Sequence, residues 1–273
     1  MATLRGIRIA LLEARMGGEL EALVRRHGGE PYGVPAVREV ARDAGPEVAA
    51  FIDALGERSI VVFSTGVGVR ALIEQAEALG RGDELRERLA LAVTICRGPK
   101  PTAALKAVGI HVAVRVQEPF TNKDLIETID AVVTTDHEVT LLHYGERNAA
   151  LVDAVTQRGA RVRELLLYEW ALPEDLTALH RLVEEIVERR VGAVAFTSQV
   201  QLRHLLAVAT QMRKYDDLIV AMQTHTIVAA VGPTCAEALA SVGVIARVVP
   251  EHPKMGAMVT SLARFLSERR SVA

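Results

Sequence analysis

A set of short loops carries most of the residues able to do chemistry. They are "STGVG" (64–68), "RGPKPT" (97–102), "EPFTNKD" (118–124), "YGER" (144–147), "TSQVQ" (197–201), "GPTC" (232–235) and "EHPKMG" (251–256). Each places hydroxyls, glycines or amides just ahead of a helix-like stretch. The start of a helix leaves backbone N–H groups without partners and carries a partial positive charge, which suits carboxylates or phosphates. Basic side chains stand nearby: Arg70, Arg97, Lys100, Arg147, Arg203 and Lys254. No loop supplies a Ser-His-Asp order, a carboxylate pair or a cluster at metal-ligand spacing. The pattern describes an anion cradle with little acid–base equipment.

The same residue types also have structural uses. Thr234 with Glu237 reads as a T-x-x-E capping box, and Ser198 with Gln201 as its S-x-x-Q form. A capping hydroxyl sits at the mouth of such a loop, so capping and ligand contact are compatible. His204 is expected to be packed or exposed rather than catalytic, and Arg70 and Arg203 to be solvated. "GVGVRA" (66–71) fits the dinucleotide fingerprint G-x-G-x-x-A after a strand. The ribose-binding acid expected about 20 residues on is missing, because "LALAVTIC" (89–96) runs into Arg97. Arg97 at that place keeps an NADP-dependent enzyme as a lesser alternative.

The elements that must position these loops are legible as alternation. Apolar runs at 7–14, 59–65, 89–96, 138–144, 193–198, 227–232 and 246–250 are separated by longer stretches of helical period. Fully apolar runs bounded by turns fit parallel strands buried on both faces, and strand–helix alternation fits open α/β sheets. The series occurs twice. "VVFSTGVGVRALIE" (61–74) recurs as "AVAFTSQVQLRHLL" (193–206), and "RGPKPTAALKAVGI" (97–110) as "VGPTCAEALASVGV" (231–244). "ELEALVRRHGG" (19–29) likewise aligns with "ALVDAVTQRGA" (150–160). A period of about half the chain implies two copies of one domain rather than a solenoid. The stretches 29–40 and 161–175 break the rhythm and read as extended connectors between the domains. The expected fold is α/β, with two similar open parallel-sheet (flavodoxin-like) domains joined by two connector strands.

Totals narrow the function. The 273 residues suit about two domains, half are hydrophobic, and aromatics make up only 4%, so Ala, Val and Leu must fill the cores. A net charge of −2 argues against a general nucleic-acid binder. No run approaches the apolar length of a membrane span, and "MATLRGIRIALLEAR" enters a strand with no cleavable signal, so a cytoplasmic protein is expected. Cys96 and Cys235 form no CxxC and no disulfide or zinc framework.

Taken in order, "FSTGVGVRAL", "GPKPTAALKAVG", "LLLYEW", "VAFTSQVQLRHLL", "GPTCAEALASVG" and "HPKMGAMV" resemble the uroporphyrinogen-III synthase family. The resemblance covers nearly the whole chain, and its specificity lies in the ordered set. It implies one domain from 1–38 plus 173–265 and another from about 41–166. It also implies a lyase that converts the linear tetrapyrrole hydroxymethylbilane into uroporphyrinogen III. Water is lost, the last pyrrole ring is inverted and the macrocycle closes, without metal or organic cofactor. The substrate carries eight carboxylates, so similar loops from two similar domains would hold one polyanionic ring.

By the same resemblance Tyr168 of "LLLYEW" is the candidate proton donor to the departing hydroxyl. The substrate-binding candidates are Ser64, Thr65, Gly66, Arg97, Gly98, Lys100, Thr102, Arg147, Thr197, Ser198, Gly232, Thr234 and Lys254. Cys235 stands where many members have a second threonine, and Thr102 lies one place late. A monomer is expected, with a transient contact to hydroxymethylbilane synthase and no nucleic-acid or membrane partner. A non-enzymatic two-domain sensor or binding protein for an anionic metabolite is the alternative.

Overall fold

The computed structural model describes residues 3–132 and 137–268. The first elements are β1 (Arg8–Leu11), α1 (Gly17–Arg26), β2 (Glu30–Gly33), β3 (Arg38–Ala41), α2 (Gly45–Ala54), β4 (Ser59–Phe63), α3 (Gly66–Ala78) and α4 (Gly82–Leu89). Then come β5 (Val93–Cys96), α5 (Pro99–Ala107), β6 (Val114–Arg115), α6 (Asn122–Asp130), β7 (Glu138–Leu142), α7 (Ala149–Thr156), β8 (Arg161–Leu165) and β9 (Tyr168–Ala171). The last are α8 (Thr177–Val187), β10 (Ala193–Phe196), α9 (Gln199–Gln211), α10 (Tyr215–Thr224), β11 (Ile227–Ala230), α11 (Pro233–Ser241) and α12 (Met255–Glu268). Backbone contacts divide the chain into a discontinuous unit, Met1–Arg38 with Ala171–Ala273, and a continuous one, Glu39–Trp170.

The discontinuous unit is built on a parallel sheet in the order β11-β10-β1-β2. Successive side chains of a strand point to opposite faces. Ile9 and Leu11 therefore pack with Leu20, Val24, Met258 and Leu262 of α1 and α12. Ala10 and Leu12 pack on the other face with Leu182, Leu205, Leu218 and Leu239 of α8 to α11. The continuous unit repeats the plan around β6-β5-β4-β7-β8. Val61 and Phe63 meet Phe51, Leu72, Leu85 and Leu105 of α2 to α5. Ile60 and Val62 meet Leu125, Ile129, Leu151 and Val155 of α6 and α7. Small aliphatic residues fill both cores, as the low aromatic content requires.

The duplication holds strand by strand: β5-β4-β7-β8 corresponds to β11-β10-β1-β2. The sequence repeat runs out of phase with the units because β1 and β2 precede β10 and β11 by most of the chain. Matching glycines have matching backbones. Gly98 and Gly232 are extended N-caps at φ −171° and −176°, each followed by a proline that opens a helix. Gly28 and Gly159, and Gly109 and Gly243, end helices in the left-handed region, at φ from +74° to +81°.

Three expectations need correction. Of "LALAVTIC" only Val93–Cys96 is strand, because Leu89 completes α4, whose Glu84 and Arg88 pair one turn apart. "ARVVP" shrinks to one parallel bridge, Ala229 to Val248, the counterpart of the Ile95–Val114 pairing of β6. The stretches 29–40 and 161–175 are not connectors throughout. β2 pairs along its length with β1, and β8 with β7, as edge strands of the two sheets. Pro31 is tolerated in β2 because an edge strand has an unpaired side. Only β3 and β9 remain as a separate two-stranded ribbon. Among the described residues no helix is long and apolar enough to cross a membrane.

Candidate functional site

In the continuous unit the loops beyond the carboxyl ends of β4, β5 and β7 gather most of the chemistry, where open α/β sheets bind ligands. Thr65 leaves β4 in extended conformation, and its Oγ1 accepts the Gly68 N–H at 3.0 Å, capping α3. The same oxygen lies 2.8 Å from the phenolic oxygen of Tyr168, and either can donate. A hydroxyl has one donor and two acceptor positions. Thr65 can thus hold Gly68 and still give its own proton to the phenol, leaving the phenolic proton for another acceptor. Tyr168 is 1% exposed. With Glu39, Arg42, Arg70 and Glu74 it lines a cavity of about 480 Å³ between α3 and the β3 segment.

Gly66 opens α3 against the start of α5: a Cβ there would lie 3.0 Å from the Lys100 carbonyl oxygen and 3.5 Å from Arg70 Nη1. The glycine of "GVGVRA" therefore serves close packing of two helix starts. Arg70 is exposed, as expected, with its head beside the beginning of its own helix and on the cavity wall.

Arg97 follows β5 and is half-buried, its Nε donating to the Phe120 carbonyl at 3.0 Å. Burial pulls its pKa down, while the nearby Tyr144 and Asp124 oppose that shift. None of the ion pairs among the described residues includes Arg97. A partly desolvated guanidinium without a carboxylate suits an anionic guest. Gly98 caps α5 with its backbone, and Lys100 is exposed at that helix start. Thr102 is turned inward, its hydroxyl donating to the Gly98 carbonyl at 2.9 Å within its own helix. Ser64 is half-buried between β4 and Thr65.

Arg147 is engaged elsewhere, with Nε and Nη2 on the two oxygens of Glu164 at 2.8 and 2.9 Å. Buried His143 contacts Glu164 through Nε2 at 2.8 Å. Burial works to raise the pKa of Glu164, but the bonds from Arg147 and His143 outweigh it and hold the group below its ordinary value. Thr121 and Asp124 form the capping box of α6.

In the discontinuous unit the Thr197 hydroxyl donates to Glu13, and Gln201 brackets Thr197. Its Oε1 accepts the Thr197 N–H at 2.8 Å, and its Nε2 donates to Thr197 Oγ1 at 2.7 Å. The expected S-x-x-Q box is therefore absent: Ser198 holds the N-cap position without a side-chain cap, and Gln201 serves Thr197 instead. Thr234 is likewise no cap. Gly232 takes that place and Thr234 lies within the first turn of α11. Gly232 packs on Pro253, where a Cβ would come within 2.8 Å of the ring. Lys254 is exposed, and His204 is packed through Nδ1 on the Ala36 carbonyl at 2.7 Å.

Burial pushes the Cys96 thiol up to about 11 and the Cys235 thiol to about 12, so neither is a nucleophile near neutral pH. Among the described residues no group of three His, Cys, Asp or Glu could hold a metal. The structure thus gathers Thr65, Gly66, Arg97, Gly98 and Lys100 around the ends of β4 and β5, and places Thr197, Ser198, Gly232 and Thr234 at the equivalent ends of β10 and β11. Glu13, His143 and Trp170 were not singled out by sequence, because their roles depend on partners distant in the chain.

Thr65→Ala removes both the cap of α3 and the partner of Tyr168. It should cost about 1 kcal/mol of stability in denaturant melts, with Thr65→Ser recovering most of it.

A family model described as uroporphyrinogen-III synthase HemD matches residues 18–260. The uncharacterized protein YjjA of Bacillus subtilis is 30% identical, over 97% of this chain and 98% of that protein. A crystal structure of a mutant uroporphyrinogen III synthase from Thermus thermophilus is 29% identical, with a TM-score of 0.77 over 96% of this chain and 99% of that one. The uroporphyrinogen-III synthetase of Helicobacter pylori, at 14% identity and a TM-score of 0.53 over 98% of this chain and 100% of that one, shares the fold. With two units of matching strand order and helix-start loops at their carboxyl edges, the chain belongs to the uroporphyrinogen-III synthase family.

Proposed function

We infer that the chain closes hydroxymethylbilane to uroporphyrinogen III, and that Tyr168 supplies the proton for departure of the hydroxyl. The match to the family over residues 18–260 carries the overall reaction. Support for the role of Tyr168 is its bond to Thr65 and its place on the cavity wall. In that reading the terminal hydroxymethyl group enters the cavity. The phenolic proton passes to the hydroxyl oxygen as its C–O bond breaks, and water leaves. Electrons of the pyrrole stabilise the carbon cation. For the last ring to end inverted, the carbon that attacks this cation is the one already bearing the bridging methylene. The bond from that carbon to the bridge then breaks, the bridge re-joins the ring at its free α-carbon, and the proton lost from that α-carbon restores the phenol. The reaction is that of a cyclising hydro-lyase, and positioning decides which carbon attacks.

Carboxylate arms are held by helix-start N–H groups and by cations. Arg97 is the strongest of these, because it is partly desolvated and in no ion pair among the described residues; Arg70 at the cavity is the second. Thr102 and Arg147 bind substrate only after giving up the partners they hold here. Arg97→Gln should raise KM about tenfold or more with a smaller change in kcat, the worth of one charged hydrogen-bonded contact. An unchanged KM would remove Arg97 from the binding set. We place the chain in the cytoplasm, as a monomer that receives its unstable substrate from hydroxymethylbilane synthase. The sensor and NADP alternatives are not favoured: the family match points to the synthase, and Gly66 is committed to the Lys100 backbone. The reaction is tested by supplying hydroxymethylbilane and separating the isomers formed. Type III supports it, and type I alone overturns it.

A further inference from the structure

The chain has a single tryptophan, Trp170, and it is seated on a glycine. Trp170 lies two residues after Tyr168 on β9, so both side chains stand on one face of the strand. The indole meets the Tyr168 ring edge-on, with centroids 5.2 Å apart at 85°, and the Tyr144 ring at 5.4 Å and 61°. Such edge-to-face pairs have preferred geometries and resist sliding. Trp170 is also hydrogen-bonded twice to the turn after β7. Its backbone N–H donates to the Gly145 carbonyl and its indole N–H to the Tyr144 carbonyl, both at 3.1 Å. Gly145 has φ +61°, and a Cβ there would lie 2.3 Å from the indole Cδ1 and Nε1. No side chain fits at that position while the indole keeps its place.

On its other side the Tyr168 ring meets Gly68, where a Cβ would stand 3.7 Å from Cε1. The phenol is thus held between the indole edge and the first turn of α3, with its hydroxyl aimed at Thr65. We propose that Trp170, locked on Gly145, is a positioning residue that fixes the Tyr168 hydroxyl for proton transfer and so governs the yield of the type III isomer. The proposal rests on the role assigned to Tyr168 above.

The test replaces Trp170 by Leu and by Phe, each in the parent and in a Tyr168→Phe background. Hydroxymethylbilane is generated by its synthase, and kcat, KM and the type III to type I ratio are read. Trp170→Leu should lower kcat for type III about tenfold or more in the parent, with KM within about twofold. In the Tyr168→Phe background the same change should lower kcat less than about twofold, since the group being positioned is already gone. Trp170→Phe should retain most of the parental rate. Equal losses in the two backgrounds would mean that Trp170 acts independently of Tyr168 and would overturn the proposal, as would an unchanged kcat in Trp170→Leu.

If Trp170→Leu does not fold, Gly145→Ala carries the same comparison. It displaces the indole without removing it, and the emission of the lone tryptophan reports the displacement. A shifted emission with parental kcat and isomer ratio would also overturn the proposal. A parent that forms only type I contradicts the enzymatic reading itself, whereas a parent that forms type III alongside an unaffected Trp170→Leu contradicts only the positioning role.

Discussion

Tyr168→Phe should lower kcat for uroporphyrinogen III on the order of 10²-fold while leaving KM within about twofold, the scale of losing one general acid. The ring is 1% exposed and packed against Gly68 and Trp170, so the phenylalanine retains that packing and the fold. What disappears is one oxygen, bonded at 2.8 Å to Thr65, whose own oxygen keeps the Gly68 N–H. Binding of the carboxylate arms is assigned to Arg97, Arg70 and helix-start amides, none of which the substitution touches. Spontaneous closure yields type I, so the slowed variant should also release a larger share of that isomer. Steady-state rates with isomer separation check both. An unchanged kcat would withdraw Tyr168 as the acid and leave it as packing.

The second large effect is on stability and lies in the discontinuous unit. Glu185 of α8 is 2% exposed, with Oε1 bound by Arg181 Nε at 3.0 Å and Oε2 2.9 Å from Arg8 Nη1. The Oε2 contact is an ion pair without an aligned hydrogen bond. The Arg8 guanidinium also stacks 3.9 Å over the Tyr32 ring. Glu185→Ala leaves Arg8, which is only 26% exposed, without its carboxylate partner. Breaking a fully buried pair costs about 3–5 kcal/mol, and the partly solvated arginines reduce this to about 2 kcal/mol. Tm should fall by about 6 °C. Pairing Glu185→Leu with Arg8→Met should restore most of the loss, because Arg181 is exposed to solvent and no buried charge is then left alone.

Arg8 begins β1 and Glu185 lies in the last turn of α8, at the end of the sheet away from the loops that follow β10 and β11 in the same unit, so kcat should be unaffected. Burial acts to raise the pKa of Glu185, but Arg181 and Arg8 outweigh it and hold the group below its ordinary 4.5. A carboxylate depressed in the folded state stabilises fully above its unfolded pKa and loses that contribution as pH falls through the folded value. The parent should therefore lose stability progressively below about pH 4.5, while Glu185→Leu with Arg8→Met should show a shallower acid slope. Equal slopes would show that Glu185 is not a source of the acid sensitivity.

Much of this architecture was legible because it is written as repetition. Apolar runs without alternation fit strands covered on both faces, and Gly98 matching Gly232 pointed to one helix start used twice. The ends of elements were less legible. "LALAVTIC" is apolar but for Thr94, and nothing in it reveals that Leu89 belongs, with Leu85 before it, to a helix packed on Phe51. β2 and β8 read as connectors because edge strands are short and polar on one side, and Pro31 reinforced that reading. The site was legible as loops but not as partners. Ser198 and Gln201 have capping-box spacing, yet Gln201 turns to Thr197 because Glu13, arriving from β1, takes the Thr197 hydroxyl. Arg147 looked free until Glu164 of the neighbouring strand met it. Trp170 carried no local signal, since its significance comes from Gly145, a residue of another strand's turn.

The most direct measurement titrates the chain against a constant supply of hydroxymethylbilane and follows the isomer composition of the closed ring. The type III fraction should rise from nothing to near completeness as the chain is added, and in Tyr168→Phe should rise only at much higher concentration. Product that stays type I at every concentration would contradict the account.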